Sequence, residues 1–502
     1  MGALFFDADG DGDHDLYVVS GGAEHPAKHG FYRDRLYINN EGGFSLASSE
    51  RMPVAFHSGS VVAAADYDRD GDLDLFVGSR VVPGEYPVSP VSQLLRNDDA
   101  TFVDVIETAA PSLSQAGMVT DAVWTDVNKD GEVDLMVTYE WGPIRCFLNE
   151  GGRLTDATDA AGLSQHLGWW NGIAAGDIDS DGDMDYAVTN YGLNTKYHAD
   201  SGHPIRIYYG DFDGSGNRRI VESEFEGAKL FPIRGKSCST NAIPILGERF
   251  KTFTDFGVAQ LDQIYTSTCL EEAQTFEANT LENGVLINDG TGKFSFRALP
   301  RVAQIAPAFG ASLVDIDGDG DLDLYLAQNF YGPQRETGHM DGGVSLLLKG
   351  DGNGEFEPVW PNKSGLVVPR DGKSLVQTDL NADGQPDFVV GQNDGAIRAY
   401  LNTLPQRAGR RFVLQLRGGQ GNPTAIGARV ERRNGHGAVE LREMTSNSGY
   451  LSQSSHPMIF AVPESEKSIS FRVTWPNGQQ TEEKFDVDES EGLHRAKMEL
   501  PN

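Results

Sequence analysis

The chain has 502 residues, 39% of them hydrophobic, and a formal net charge of −33. So acidic a surface argues against nucleic acid and against anionic membrane as partners, and no run of about 20 apolar residues is present to span a bilayer. The length allows two or three ordinary domains, or one large repeat domain with a small companion, and the modest apolar content favours thin, repeated β-elements over one large core.

The chain opens on an apolar run, Gly2 to Phe6, followed by Asp7, Asp9, Asp11, Gly12, Asp13 and Asp15. Carboxylates thus fall at loop positions 1, 3, 5, 7 and 9, with glycine at 6. Residues 1, 3 and 5 can turn their oxygens to one centre, and glycine permits the turn that brings position 9 round to it. Hard oxygen ligands in a flexible loop suit Ca²⁺. The same spacing recurs at Asp66, Asp68, Asp70, Asp72 and Asp74, then at Asp126, Asn128, Asp130, Glu132 and Asp134. It recurs again at Asp177, Asp179, Asp181, Asp183 and Asp185, at Asp315, Asp317, Asp319, Asp321 and Asp323, and at Asp379, Asn381, Asp383, Gln385 and Asp387. Each loop lies between apolar runs, which makes it a β-hairpin turn. One match would pass as a chance acidic turn, whereas six need a common cause. Metal binding supplies that cause, with about six Ca²⁺ expected. Asp211, Asp213 and Ser215, with Glu222 at position 12, offer a seventh loop in competition with an ordinary Asp/Gly turn.

A period of 40 to 60 residues with strand-like runs marks a β-propeller. Each repeat adds a second hairpin, apolar–apolar–x–Asn followed by glycine, as at Leu36 to Phe44 and Leu94 to Phe102. Two hairpins make one four-stranded blade. The expectation is an all-β propeller over 1–404 with seven blades, an incomplete ring or an eighth blade being the alternatives. Residues 205–226 are assigned to blade four. The stretch 227–280 has helix-compatible spacing at Phe250 to Leu261 and Leu270 to Leu281 and reads as a helical insertion in a fifth blade, whose outer hairpin resumes at Val285 to Arg297. After 404 the acidic loop never returns. Short apolar runs at Phe412 to Leu416, Ala428 to Arg432, Ala438 to Met444, Met458 to Val462 and Ile469 to Trp475 predict a small β-sandwich over 405–502.

These loops resemble FG-GAP, or VCBS, repeats, the blades of integrin-α-type propellers. The tail resembles the ASPIC/UnbV domain through Asn422, Ala425 to Val430, Gly449-Tyr450-Leu451-Ser452-Gln453-Ser454 and Val473-Thr474-Trp475-Pro476-Asn477-Gly478. The whole is similar to the cartilage-acidic-protein family and its bacterial relatives. The resemblance is specific for fold and calcium, and assigns no activity.

Connectivity places the candidate ligand face. If the metal loops join the inner two strands at one end, the connections after the second strand share the other. These carry Arg80, Tyr86, Glu140, Trp141, Asn190, Tyr191, Asn194, Gln328, Asn329 and Tyr331, and Trp169 and Trp170 enter from the same end. Aromatics and amides converging there make a site for a glycan or a protein partner, with capping of the propeller by the tryptophans as the structural alternative. Glu140, Glu336 and Asp341 are the acidic residues available to a competing reading, a polysaccharide lyase or hydrolase. His25 with His29, and His198 with His203, read as surface histidines. Cys146, Cys238 and Cys269 form no disulfide framework, and pairing of the last two stays open. Weak, multiple carboxylate loops suit millimolar calcium. The expected location is therefore extracellular or at the cell surface, with the periplasm as the alternative. No signal peptide is read at the start of the chain, and one is expected upstream. The oligomeric state is not readable.

Overall fold

The computed structural model describes residues 1–98, 100–334, 337–404, 409–433, 439–488 and 492–501. Six antiparallel meanders follow one another. The first comprises Ala3–Phe6, Asp15–Val18, Arg35–Asn40 and Gly43–Leu46, and the second Ser58–Ala65, Asp74–Val81, Gln93–Asp98 and Thr101–Asp104. The third comprises Met118–Thr125, Asp134–Pro143, Arg145–Asn149 and Leu154–Asp156; Leu167–Trp169 adds to the far end of its second strand. Ala308–Val314, Asp323–Gln328, Leu346–Gly350 and Phe356–Val359 make the fifth, and Gly372–Thr378, Asp387–Gln392 and Arg398–Tyr400 the sixth. Every metal loop joins a first strand to a second, and the residue before the loop always pairs with its position-9 aspartate, as Phe6 with Asp15 and Ala65 with Asp74.

The fourth sheet corrects the expected blade assignment. Its strands are Ile173–Gly176, Asp185–Val188, Gly284–Asn288 and Phe294–Ala298. The hairpin assigned to a fifth blade is therefore the outer half of the fourth, and the described residues hold six such sheets instead of seven. Between its second and third strands lies an insertion larger than expected. It has its own sheet, in the order Lys229–Pro232, Arg219–Glu226, Ile205–Gly210 and Gln274–Ala278, with five short helices between Lys236 and Glu272. The helix expected over 270–281 ends at Glu272, and the strand Gln274–Ala278 follows. Its alternation pairs with Ile205–Gly210 and buries Ala278 beside Leu281.

First strands of consecutive sheets lie against one another from the first sheet to the sixth. Crowding there selects small side chains. Ser58–Ala65 reads Ser-Gly-Ser-Val-Val-Ala-Ala-Ala and is buried throughout. Apolar clusters fill the wedge between each pair of sheets, such as Phe76, Leu94, Trp124, Leu135 and Phe147 between the second and third.

The tail folds as two facing sheets. One holds Met458–Val462, Arg410–Arg417 and Leu493–Glu499, and the other Val439–Glu443, Arg429–Arg433, Ser468–Thr474 and Gln480–Asp486. Phe412, Phe460, Phe471 and Phe485 meet between them. Gln480–Asp486 and Leu493–Glu499 escape a reading of apolar runs because they bury few side chains. The expected boundary at 405, the strand start at Ala438 and Glu336 lie outside the described residues. Cys146, Cys238 and Cys269 are free. Among the described residues no helix is long and apolar enough to cross a membrane.

Candidate functional site

Each metal loop is pinned from both sides by its position-9 aspartate. Asp74 Oδ2 accepts from the Tyr67 N–H at 3.3 Å, and Oδ1 from the Asn97 N–H at 2.8 Å. Asp15, Asp134, Asp185, Asp323 and Asp387 repeat the arrangement, each taking one N–H from its own loop and one from the third strand or, for Asp387, from Asn402 just beyond it. The third-strand asparagine then reaches the preceding sheet. Asn97 Nδ2 donates to Ala8 O at 3.0 Å, Asn149 Nδ2 to Tyr67 O at 2.7 Å, Asn288 Nδ2 to Val127 O at 2.9 Å and Asn402 Nδ2 to Ile316 O at 2.8 Å. Asn39 instead donates within its own loop, to His14 O at 3.2 Å. This explains the recurrent asparagine of the outer hairpin.

Four loops gather three carboxylates each: Asp7, Asp9 and Asp15; Asp66, Asp68 and Asp70; Asp177, Asp179 and Asp185; Asp315, Asp317 and Asp323. Within each group the offered oxygens lie within 4.8 Å of one another. Burial, with neighbouring carboxylates adding to it, raises Asp15, Asp66 and Asp315 to about 6, Asp177 and Asp323 to about 7, and Asp185 to about 8. Such groups resist full ionisation unless a cation joins them. Asp9 Oδ1, Asp66 Oδ1, Asp68 Oδ1, Asp126 Oδ1 and Asp179 Oδ1 are buried without a hydrogen-bond partner. Buried, unpaired carboxylate oxygens are costly alone and are the donors a hard divalent cation takes. The residues present fit such an ion.

Several expected ligands also make hydrogen bonds within the fold. In the third and sixth loops the position-3 amide serves position 5, Asn128 Nδ2 donating to Asp130 Oδ2 and Asn381 Nδ2 to Asp383 Oδ2, both at 2.9 Å. Asp11 and Asp181 accept the N–H two residues on, as Asp70 of the second group also does, and Lys349 Nζ donates to Asp319 Oδ2 and to Asp317 Oδ2, each at 2.6 Å. At position 7, Asp183 faces Lys129 at 3.3 Å, Glu132 accepts the Gly151 N–H at 2.7 Å, and Gln385 donates to Asp383 at 3.2 Å. Asp13, Asp72 and Asp321 stand outside the four groups. The loop at Asp211 is not among the four groups. Asp211 accepts the N–H groups of Asp213, Gly214, Ser215 and Gly216, while Glu222 is committed to Arg234 Nε at 2.6 Å and the Tyr197 hydroxyl at 3.2 Å.

At the opposite end of the first strands lies a cavity of about 470 Å³. Sheets two to six all contribute: Arg80, Glu140, Trp169, Asn171, Tyr191, Phe309, Phe330, Lys373 and Asn393 line it, with Tyr450 and Leu451 of the tail. Glu140 is its organising group. Its Oε2 meets Arg80 Nη2 at 2.6 Å, and its Oε1 accepts the Tyr86 hydroxyl at 2.5 Å and Trp169 Nε1 at 2.9 Å. Burial, then the Glu140 charge, pushes the Tyr86 phenol well above its usual range. Arg80 keeps Nη1 without a partner. Across the cavity Lys373 Nζ sits 3.2 Å from the centre of the Phe309 ring, 2.5 Å from Asp371 and 2.8 Å from Asn329 O. Burial lowers Lys373 to about 8 against the pull of Asp371. Trp169 stacks on Tyr191 at 4.3 Å, and Trp141 packs against Trp169 at a tilt, also at 4.3 Å. Trp141 and Asn329 hold φ of 60° and 89°, a strained geometry that concentrates at functional sites.

Of the residues expected on this face, Arg80, Glu140, Trp169 and Tyr191 line the cavity. Tyr86 and Trp141 lie behind them, joined by a 2.5 Å bond from Trp141 Nε1 to the Tyr86 hydroxyl. Trp170 is a core residue, fully buried against Phe296, so the capping alternative holds for it. Asn190, Gln328 and Asn329 are buried and spend their amides on loop carbonyls. Asn194 bonds Ile305 O at the exposed rim, and Tyr331 stacks on His339 at 4.3 Å. Phe309 and Lys373 were not foreseen because they begin inner strands and belong to no connection. Tyr450 was not foreseen because nothing in a tail motif says where the tail sits. Glu140 is the one carboxylate among the described lining residues. His25 stacks on His29 at 4.4 Å, and His203 pairs with Asp200 at 3.1 Å.

Comparison with known proteins agrees with this organisation. The FG-GAP-like repeat family matches residues 7–77, 126–188 and 276–326, and the ASPIC and UnbV family matches residues 418–490. Cartilage acidic protein 1 of Homo sapiens is 26% identical over 203 residues, 38% of this chain and 28% of its own length. The Mus musculus protein of that name is 26% identical over 203 residues, 38% of this chain and 29% of its own length. The chain thus matches less than a third of these relatives. Among solved structures, rhamnogalacturonan lyase YesW aligns with 81% of this chain and 72% of its own, at 13% identity and a TM-score of 0.29. The V. cholerae biofilm matrix protein Bap1 aligns with 87% of this chain and 68% of its own, at 11% identity and a TM-score of 0.25.

Proposed function

We propose that this chain, a protein of FG-GAP-like repeats followed by an ASPIC and UnbV domain, is a calcium-binding, non-catalytic extracellular interaction module. Its six sheets form a propeller around the tail, and its cavity opposite the metal loops takes a glycan or a segment of a protein. Calcium is the ion of choice because the donors are all oxygen and glycine stands at position 6. In this role the ion staples a first strand to a second at each loaded loop.

The observation that carries the binding reading is the cavity itself. Loops from successive sheets converge on one concave surface with aromatic walls and a few fixed polar groups, which is the make-up of a small-ligand site. Trp169 and Tyr191, packed on each other, form its aromatic wall. Arg80 Nη1 is buried and has no hydrogen-bond partner. The competing reading, a carbohydrate-active enzyme working through Glu140, is less favoured because both oxygens of Glu140 are engaged by Arg80, Tyr86 and Trp169.

The test is a glycan and peptide screen in calcium, repeated with Tyr191→Ala and Glu140→Gln. Tyr191→Ala should weaken any hit at least tenfold, about 1.4 kcal/mol, with metal content unchanged. A hit that survives both changes would place binding elsewhere. New reducing or unsaturated ends in the glycan products would transfer the case to the enzyme reading.

A further inference from the structure

The tail does not merely follow the propeller. Its residues lie on the metal-loop end of the sheets. Arg429 pairs with Asp126 Oδ2, the Leu441 N–H donates to Asp177 Oδ2 at 3.3 Å, and Arg495 Nη2 stands 3.6 Å from Asp379 Oδ2. Glu443 accepts the Asp126 N–H at 3.2 Å and the Thr125 hydroxyl at 2.6 Å. From Glu443 the chain dives between the first strands. The Ala64 N–H donates to Ser446 Oγ at 2.7 Å, Asn447 Nδ2 to Ala122 O at 2.6 Å, and the Leu375 N–H to Gly449 O at 2.8 Å. It turns at Tyr450 and Leu451, both in the left-handed region, with Tyr450 edge-on to Phe309 at 5.4 Å in the cavity. It then returns past Phe5, whose N–H and C=O are both bonded by the Gln453 amide, and past Gln377, bonded by Ser454 and Ser455. A side chain at Gly449 would meet Leu375 O at 1.8 Å, so glycine is obligatory there.

We propose that calcium docks this plug: metal at the third loop permits the tail to seat, and seating completes the cavity with Tyr450 and Leu451. The inference rests on the calcium and cavity readings above. Docking sets the Glu443 side chain, 4% exposed, beside the buried Asp126 in a loop that also holds the buried Asp134, with Arg429 as the cation between Glu443 and Asp126. That arrangement has an excess of buried negative charge. Asp126 meets the tail through Oδ2, while its Oδ1 is buried and unpaired. A divalent ion on Oδ1 offsets the excess, so tail and metal share one carboxylate. Linkage then makes the coupling mutual: metal strengthens docking, and docking strengthens metal binding.

The experiment is hydrogen exchange of residues 446–455 in the full chain across a calcium titration, with residues 468–474, a tail strand away from the metal loops, as internal reference. Chelation should speed exchange of 446–455 at least tenfold more than that of 468–474. Arg429→Ala should move the calcium midpoint of that protection upward roughly tenfold, with Arg429→Lys recovering part of it. Three results would overturn the proposal: exchange of 446–455 indifferent to calcium, exchange of both segments rising together, or a midpoint unmoved in Arg429→Ala. None of these readouts needs a cavity ligand. A failed ligand screen therefore defeats the binding reading alone, and indifferent exchange defeats the calcium-docked plug alone.

Discussion

Asn149 shows how one side chain joins levels of this structure. Its N–H satisfies Asp134, its carbonyl oxygen takes the Gly152 N–H, and its amide nitrogen bonds Tyr67 O and Val133 O in two different sheets. Removing it strands buried carbonyls. Asn149→Ala should therefore cost about 1–3 kcal/mol, read by chemical denaturation. Asn39→Ala should cost less, because Asn39 bonds no neighbouring sheet; equal costs would mean the inter-sheet bond contributes nothing. The sequence made this asparagine visible as a repeated letter, and its partner one sheet earlier in the chain only the fold could supply. Trp170 and Trp169 make the same point. They are adjacent, aromatic and alike in sequence, yet one fills a core beside Phe296 and the other lines the cavity. The strand ends at Trp169, so Trp170 lies beyond it, and no local pattern marks that end.

The metal loops dominate at the scale of elements. They were legible because position 9, position 6 and the flanking apolar runs each leave a mark at fixed spacing. The fourth sheet was not legible. Ile205–Gly210 has the alternation of a third strand and stands where one is due, but it pairs with Gln274–Ala278 in the insertion, leaving Gly284–Asn288 to complete the sheet. Local pattern carries no record of which partner a strand finds. The loops also predict a pH response. In the calcium-free protein, burial lifts Asp185 to about 8 and Asp323 to about 7, both members of carboxylate triads and both above the usual aspartate value near 4. The folded state then holds protons that the unfolded state releases. This contribution is complete below about pH 4 and is lost as pH rises through the folded values. Thermal stability without calcium should therefore fall between pH 5 and pH 8. In saturating calcium the fall should vanish, because the ion replaces the protons. A flat calcium-free profile would mean these aspartates stay ionised in the fold.

Across the whole molecule, the tail unites what would otherwise be a row of sheets. Asparagine bonds link several consecutive sheets, but Asn39 reaches no sheet before it and Leu380, at the matching position of the sixth loop, is 48% exposed. Between those two ends the bonds run through Gln453, Ser454 and Ser455. Family resemblance identified the motif that contains these residues, and only the fold revealed that it threads the first strands to the far cavity. The proposal that calcium holds this assembly is open to equilibrium dialysis of the full chain, with melting followed before and after chelation. Between four and six Ca²⁺ should bind per chain, four of them at the aspartate triads. Chelation should bring a large loss of melting temperature, since each site at a hundredfold excess over its dissociation constant adds about 2.7 kcal/mol to the folded state. No bound calcium and an unmoved melting temperature would contradict it.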